Sequence, residues 1–149
     1  APQMEPTALI DTKKLKGKRI LVVEDNRINQ VVTQKILEKH KVVCTLAENG
    51  EEAVALASSS NYDLILMDIN MPVKDGLQAT KEIRVFDKRI PIIALTAVEI
   101  EEVRFGIFEA GMNDIIVKPY DITKFKQTIL KNIFLQRIQS ELNPHLRAM

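Results

Sequence analysis

Five short, mainly apolar runs recur along the chain, and the first, third, fourth and fifth end abruptly at a polar or charged residue. A strand buried on one face alternates between apolar and polar side chains, whereas a strand covered on both faces shows an unbroken apolar run. The runs therefore predict strands of a sheet that is covered on both sides. They span residues 20–23, 42–46, 64–67, 91–95 and 115–117.

Between these runs, apolar residues recur three or four positions apart, the spacing of an amphipathic helix. Parallel strands need such helical crossovers, so the alternation predicts a doubly wound α/β fold with a five-stranded parallel sheet. Gly111 is placed to end the fourth helix and Asp121 to cap the fifth. The five stripes are Ile28, Val31, Val32 and Ile36; Ala53, Val54 and Ala57; Leu77, Thr80 and Ile83; Ile100, Val103, Ile107 and Ala110; and Ile122, Phe125, Ile129 and Ile133.

A Rossmann-type nucleotide fold is the alternative architecture. It is disfavoured because the first run ends in Glu24-Asp25-Asn26 instead of a glycine-rich turn. The sequence also lacks the GxxxxGK[ST] motif of a P-loop nucleotide-binding protein.

The length of 149 residues is that of one ordinary domain with short tails. Residues 1–17 contain proline, threonine and lysine without a sustained period, which is typical of a linker or a disordered lead-in. One domain is predicted over residues 18–136. The extension at 137–149 is expected to fray.

Net charge and cysteine content limit the binding partners and the cellular compartment that can be expected. The formal net charge is +1, which gives no electrostatic reason to expect binding to nucleic acid or to a membrane surface. The single cysteine, Cys44, cannot form an internal disulfide and is expected to pack in the core. No apolar run approaches the roughly 20 residues of a membrane span, and the start does not look like a signal peptide. A soluble, cytoplasmic protein is therefore expected.

The residues that end the strands carry the candidate chemistry. In an open parallel sheet, ligands bind outside the carboxyl ends of the strands. Glu24 and Asp25 follow the first run, Asp68 the third, Thr96 the fourth and Lys118 the fifth. Clustered carboxylates repel one another unless a cation intervenes, and hard oxygen ligands suit Mg²⁺. The hydroxyl and the ammonium are donors for an anionic, oxygen-rich ligand such as a phosphoryl group.

Four separated segments match one family in order and spacing. ILVVEDN, LILMDINMPVKDG, IIALTA and IIVKP resemble the response-regulator receiver family over about residues 18–136. The resemblance implies a flavodoxin-like fold with strand order 2-1-3-4-5 and a phosphorylated aspartate at Asp68. It also implies Mg²⁺ bound by Glu24, Asp25, Asp68 and the backbone carbonyl of Asn70, a switch hydroxyl at Thr96, the family lysine at Lys118, and a cis peptide before Pro119.

The resemblance further implies a two-component phosphorelay. Asp68 would accept a phosphoryl group from a phosphohistidine, and movement of Thr96 would change the loop and helix after the fourth strand. VVEDNRINQVV and EAGMNDIIVKP are most similar to receivers of hybrid sensor histidine kinases, although a stand-alone regulator stays open. The expected partners are a histidine kinase domain and a histidine phosphotransfer protein, docking on the first helix and the loops around Asp68. The chain has no kinase ATP-binding segment, so it is expected to act only in its own phosphorylation and dephosphorylation.

Two other function classes are considered. A binding module that uses this fold without phosphorylation is disfavoured by the complete acidic site. A hydrolase of the haloacid dehalogenase type places its nucleophile on the first strand with a second acid two residues later. Here the candidate nucleophile follows the third run, and position 70 is Asn.

Several positions depart from the family pattern or stand outside it. Ile115 occupies a position that is aromatic in many receivers, so Thr96 or the fourth helix is expected to carry the conformational signal. Asn70 and the apolar Val98 flank the path of attacking water and are expected to tune the lifetime of the phosphoryl group. His40 and His145 are expected to be solvated. Phe105 and Phe108 lie off the inward stripe, either as partly buried aromatics or as part of a partner-binding patch.

Overall fold

The five apolar runs form five strands in the computed structural model, which describes residues 11–98 and 100–142. The three central strands are buried along almost their whole length, in keeping with their unbroken apolar sequences. The two edge strands keep partly exposed positions. The strands are β1 (Arg19–Val23), β2 (Val43–Ala47), β3 (Leu64–Asp68), β4 (Ile92–Thr96) and β5 (Asp114–Val117).

All neighbouring strands pair in parallel, in the order β2-β1-β3-β4-β5. This result confirms the predicted doubly wound α/β fold and its strand order. Since every strand runs in the same direction, all five carboxyl ends lie at one edge of the sheet. Polar side chains at the ends of the strands are thereby brought to a common rim, where ligands bind in open parallel sheets.

Helices cover both faces of the sheet. One core cluster joins one face to α2, α3 and α4 through residues such as Ala53, Ile83 and Ile107. The other joins the opposite face to α1 and α5 through Leu37 and Phe125. The helices are α1 (Arg27–Glu38), α2 (Gly50–Ser59), α3 (Gly76–Phe86), α4 (Glu101–Ala110) and α5 (Ile122–Leu142).

Short-range signals set most helix ends. Asn26 and Asp75 cap α1 and α3 by accepting backbone N–H groups of the first turn. Asp121 accepts from the Lys124 backbone N–H at 3.1 Å, as predicted for the start of α5. Gly111 ends α4 in the left-handed conformation with φ 107°, which a side chain would disfavour.

Three of the four residues of the apolar stripe predicted for α1 do not face the core, whereas the fourth, Ile36, packs against the cluster of α1 and α5. Ile28, Val31 and Val32 are 74%, 42% and 44% exposed, whereas Thr33 and Leu37 are buried. The helix carries apolar residues on two faces, so its sequence alone did not show which face the sheet would cover. Ile100 and Ile122, the first positions of the fourth and fifth stripes, are also exposed because they lie at the starts of their helices.

The folded region extends beyond both predicted boundaries. A 3-10 helix at Thr12–Leu15 buries the Leu15 side chain in the cluster with α1 and α5. At the other end α5 continues to Leu142, and the Arg89 guanidinium donates to the Ser140 hydroxyl at 3.0 Å. Residues 11–17 and 137–142 therefore contain regular structure outside the predicted domain boundaries. The division into lead-in, domain and tail otherwise stays a prediction, since residues 1–10 and 143–149 lie outside the described part of the chain.

Membrane insertion finds no support in the helices. Among the residues that the structure describes, no helix combines the length and the apolar character needed to cross a bilayer.

Candidate functional site

The register of the sheet places the predicted residues side by side. Val23 pairs with Met67, so Glu24 follows β1 next to Asp68 at the end of β3. Thr96 at the end of β4 pairs with Val117, and its carbonyl accepts the Lys118 backbone N–H at 2.8 Å. Residues separated by more than ninety positions in sequence therefore meet at one rim because their strands end there.

Lys118 joins two carboxylates. Its ammonium donates to Glu24 Oε2 at 2.7 Å and to Asp68 Oδ2 at 3.0 Å. The Glu24 side chain is 1% exposed and that of Asp68 is 8% exposed, against 18% for Lys118. Burial by itself would lower the pKa of Lys118, but its hydrogen bonds and its attraction to the two acids outweigh burial, so its pKa is raised. The ammonium is therefore held in its charged form as the counter-ion of the site.

Three carboxylates form a candidate metal centre. Glu24, Asp25 and Asp68 each present an oxygen atom, and these atoms all lie within 4.8 Å of one another. Burial, together with the charge of Asp68, raises the pKa of Glu24 despite its bond to Lys118. One ammonium is thus too little positive charge for this donor set. An all-oxygen set with one exposed member, Asp25, fits a hard divalent cation that keeps some of its water.

The loop after β3 contacts both the side chain and the backbone of Asp68. Asp68 Oδ1 accepts the Asn70 backbone N–H at 3.0 Å, while the Asn70 side chain is exposed. Gly76 packs so closely beneath this strand end that a Cβ at position 76 would overlap the Asp68 carbonyl oxygen. Glycine is therefore needed at position 76 for this close approach.

The turn between β1 and α1 contains contacts that the sequence did not reveal. Glu24 Oε1 accepts from the Asn26 backbone N–H at 3.2 Å and from the Asn29 side chain at 3.4 Å. The Gln30 side-chain amide donates to the Glu24 carbonyl at 2.6 Å. Only the general pattern of polar residues early in α1 hinted at such a role.

Thr96 lies on the same rim but does not bond to the acids in this conformation. Its buried hydroxyl donates to the Val98 carbonyl at 3.0 Å and accepts the Val98 backbone N–H, also at 3.0 Å. These contacts tie the hydroxyl to the loop that leads into α4. Ile115, at the position that is aromatic in many receivers, is partly buried against the cluster of α2, α3 and α4.

Other positions predicted from the sequence are the peptide before Pro119, the cysteine, the two histidines and two phenylalanines of α4. The Lys118–Pro119 peptide is cis, as expected. Cys44 is half-buried beside the core, and burial raises the pKa of its thiol to about 11. His40 is only partly exposed, and its Nε2 atom is buried without a hydrogen-bond partner in the described part of the chain. Phe105 and Phe108 are exposed, and His145 lies outside the described residues.

Comparison with known proteins identifies the family of the chain. A family model described as the response regulator receiver domain matches residues 20–130. The chain belongs to this family. It is therefore a receiver domain of two-component signalling systems, as its four sequence segments predicted. The haloacid dehalogenase and Rossmann alternatives fall with this assignment.

Two solved structures are similar to this receiver domain in sequence and in fold. The receiver domain of the sensor histidine kinase PA1611 from Pseudomonas aeruginosa PAO1 is 41% identical, with a TM-score of 0.75 over 78% of this chain and 98% of that one. It has a magnesium ion coordinated in its active-site cleft. A chain from the co-crystal structure of the Saccharomyces cerevisiae histidine phosphotransfer protein Ypd1 with the receiver domain of Ssk1 is 33% identical, with a TM-score of 0.77 over 82% of this chain and 92% of that one.

Curated relatives include much longer proteins. Histidine kinase 5 of Arabidopsis thaliana is 32% identical over an alignment that covers 84% of this chain but 17% of the kinase. The receiver domain thus corresponds to a small part of that protein. Receivers occur both in such kinases and in response regulators among the relatives.

Proposed function

We propose that Asp68 is the phosphoacceptor of this receiver domain and that the acidic cluster binds Mg²⁺. The observation that carries the proposal is the meeting of three carboxylates with one ammonium at the carboxyl edge of the sheet. Glu24, Asp25 and Asp68 would hold the ion, and the Asn70 backbone carbonyl is a further proposed ligand. The magnesium ion in the similar Pseudomonas aeruginosa receiver supports this set.

The chain's own residues account for the transfer. An oxygen of the ionised Asp68 carboxylate forms the new bond to phosphorus while the P–N bond to the donor imidazole breaks. The leaving imidazole keeps the electron pair and takes up a proton. Lys118, already bonded to Asp68, pairs with an oxygen of the incoming group. When bound, Mg²⁺ would neutralise charge that develops between the acceptor and the phosphoryl oxygens.

Thr96 is the proposed switch residue. Its hydroxyl now holds the backbone of Val98, in the loop before α4. Exchange of that bond for one to a phosphoryl oxygen would release the loop and change the start of α4. With Ile115 in place of an aromatic side chain, the hydroxyl and the loop carry this signal.

The exposed apolar face of α1 is the proposed docking surface for a histidine kinase domain or a histidine phosphotransfer protein. Ile28, Val31 and Val32 are exposed on the helix that begins beside the acidic cluster. A large apolar side chain that is 74% exposed is typical of an interaction surface when neighbours share its character. The complex of Ypd1 with a similar receiver supports this class of partner, and the cytoplasm is the proposed location.

Labelling with acetyl phosphate tests the phosphoacceptor. We expect the wild type to gain the mass of one phosphoryl group only when Mg²⁺ is present, and Asp68→Asn to gain none. Asp75→Asn is the matched control, because Asp75 lies in the same loop and asparagine preserves its capping role. Labelling of Asp68→Asn at the wild-type rate, or labelling of the wild type without a divalent ion, would contradict the proposal.

A further inference from the structure

The peptide group that joins Glu24 to Asp25 is held by a side chain from α1. Gln30 donates its amide N–H to the Glu24 carbonyl oxygen at 2.6 Å. The carbonyl belongs to the peptide unit between the two acids. Rotation of this unit would move the two carboxylates relative to each other. Its hydrogen bond therefore bears on how both acids are presented.

The need for this hydrogen bond follows from where β2 ends. The Glu24 backbone N–H donates to the carbonyl of Ala47, the last residue of β2, at 3.0 Å. Beyond Ala47 the neighbouring chain turns away toward α2, so the sheet ladder does not continue to the Glu24 carbonyl. A buried carbonyl without a donor is unfavourable. The half-buried Gln30 side chain supplies the donor that the strand no longer provides.

Neighbouring contacts fix the Glu24 side chain in the same way. Asn26 and Asn29 donate to Oε1, while Oε2 accepts from the Lys118 ammonium. Carbonyl and carboxylate of Glu24 are thus both held by the first turn of α1. Groups that orient metal ligands in this manner commonly change metal affinity by about 10–100-fold when removed.

We propose that Gln30 is a positioning residue for the Mg²⁺-binding pair Glu24 and Asp25. It holds the peptide between them in the orientation that presents both carboxylates to one ion. Gln30 touches neither the phosphoryl group nor the acceptor. Its effect is on metal affinity and not on the transfer step at saturating metal. The inference rests on the proposed function, since it assumes that the acidic cluster binds Mg²⁺.

The variant Gln30→Met tests this role, because methionine keeps the length of the side chain and removes the donor. Calorimetric titration with Mg²⁺ alone should give a dissociation constant raised by about tenfold. Acetyl phosphate labelling should need correspondingly more Mg²⁺, while the maximal rate at saturating Mg²⁺ stays within about twofold of the wild type. Gln30→Ala, which favours the helix, should behave in the same way and guards against a folding defect of the first variant.

Gln34→Met is the matched control. Gln34 lies one turn further along α1, and its amide donates to Glu38 at the surface instead of to the turn. It should bind Mg²⁺ like the wild type. Equal affinity in Gln30→Met and the wild type, equal weakening in both methionine variants, or a lower maximal rate with unchanged Mg²⁺ affinity would each overturn the inference. Failure of the wild type to bind Mg²⁺ would instead overturn the proposed function.

Discussion

Removal of the ammonium at Lys118 should destabilise the domain strongly in the absence of metal. Lys118→Met keeps the aliphatic stem but leaves Glu24, which is 1% exposed, and Asp68 facing each other without a counter-ion. Breaking a buried ion pair from one side costs about 3–5 kcal/mol. Because the Lys118 side chain keeps 18% of its surface in water, we expect a loss of about 2–4 kcal/mol at neutral pH. For a domain of this size the midpoint of thermal unfolding should fall by roughly 4–16 °C.

The pH dependence of this loss identifies its cause. The pKa of Glu24 is already raised by burial and by Asp68. A raised carboxyl pKa means that the folded state binds a proton more readily than the unfolded state. The contribution of Glu24 to the free energy of unfolding is then greatest below the ordinary pKa of about 4.5, and it falls as pH rises toward the pKa of the folded state. Without the ammonium the folded pKa of Glu24 rises further. The difference between variant and wild type should therefore shrink as pH is lowered from 7 toward 5.

Urea unfolding in the presence of a chelator, at several pH values, measures both effects. Lys131→Met is the matched control, because Lys131 pairs with Asp114 at 2.9 Å but its side chain is 59% exposed. That pair should contribute no more than about 1 kcal/mol. Equal losses in the two variants, or a Lys118→Met penalty that does not change with pH, would refute the electrostatic reasoning. Added Mg²⁺ should restore part of the stability of Lys118→Met, since it stabilises only the folded state.

Three other predictions follow from packing, protonation and docking. Gly76→Ala should lower the free energy of unfolding by about 1–3 kcal/mol through overlap with the Asp68 strand end. Gly106→Ala lies inside α4, where an added Cβ would meet only the Leu77 side chain at 3.8 Å, so it should be neutral or stabilising by about 0.5–1 kcal/mol in urea unfolding. Equal effects of the two substitutions would contradict the packing argument. Burial and nearby lysines lower the pKa of His40 below its ordinary value of 6.5. The neutral imidazole therefore makes its full contribution to the free energy of unfolding above pH 6.5, and this contribution is lost as pH falls toward the folded pKa. The stability difference between wild type and His40→Gln should therefore change between pH 7.5 and 5.5, and a constant difference would contradict this. Val32→Asp should slow phosphoryl transfer from a phosphorylated histidine phosphotransfer protein by about tenfold or more. Val85→Asp changes an exposed residue of α3, on the opposite face of the sheet, and should leave the rate unchanged. Equal rates in the two variants would exclude the α1 surface as the docking site.

The sheet and its rim were predictable because their signals are local. Each central strand is an unbroken apolar run, and the residue that follows it is polar by necessity or by function. Once the strands are parallel, the position of Glu24, Asp68, Thr96 and Lys118 at one edge follows from topology alone. Side-chain geometry did not have to be known to place them together.

The less predictable features depend on tertiary contacts. In the first half of α1 the apolar residues Ile28, Val31 and Val32 are exposed. The core side of this part of the helix is occupied by Thr33, whose hydroxyl contacts the Tyr120 hydroxyl at 3.3 Å. Leu15 is a single apolar residue in a lysine-rich stretch, so no period announced that it would be buried. The bond from Gln30 to the Glu24 carbonyl depends on where β2 happens to stop. None of these contacts can be predicted from the local sequence pattern alone.

The charges at the rim oppose the stability of the fold, and this opposition is itself an argument about function. A sheet with five apolar strands gains nothing from burying Glu24 at 1% exposure beside Asp68, since desolvation of two like charges is unfavourable. Lys118 compensates only in part, as the raised pKa of Glu24 shows. Local rules that are broken without a structural gain are typical of functional sites. An additional cation would complete the compensation, so binding of Mg²⁺ and stability of the acidic rim should be coupled in this domain.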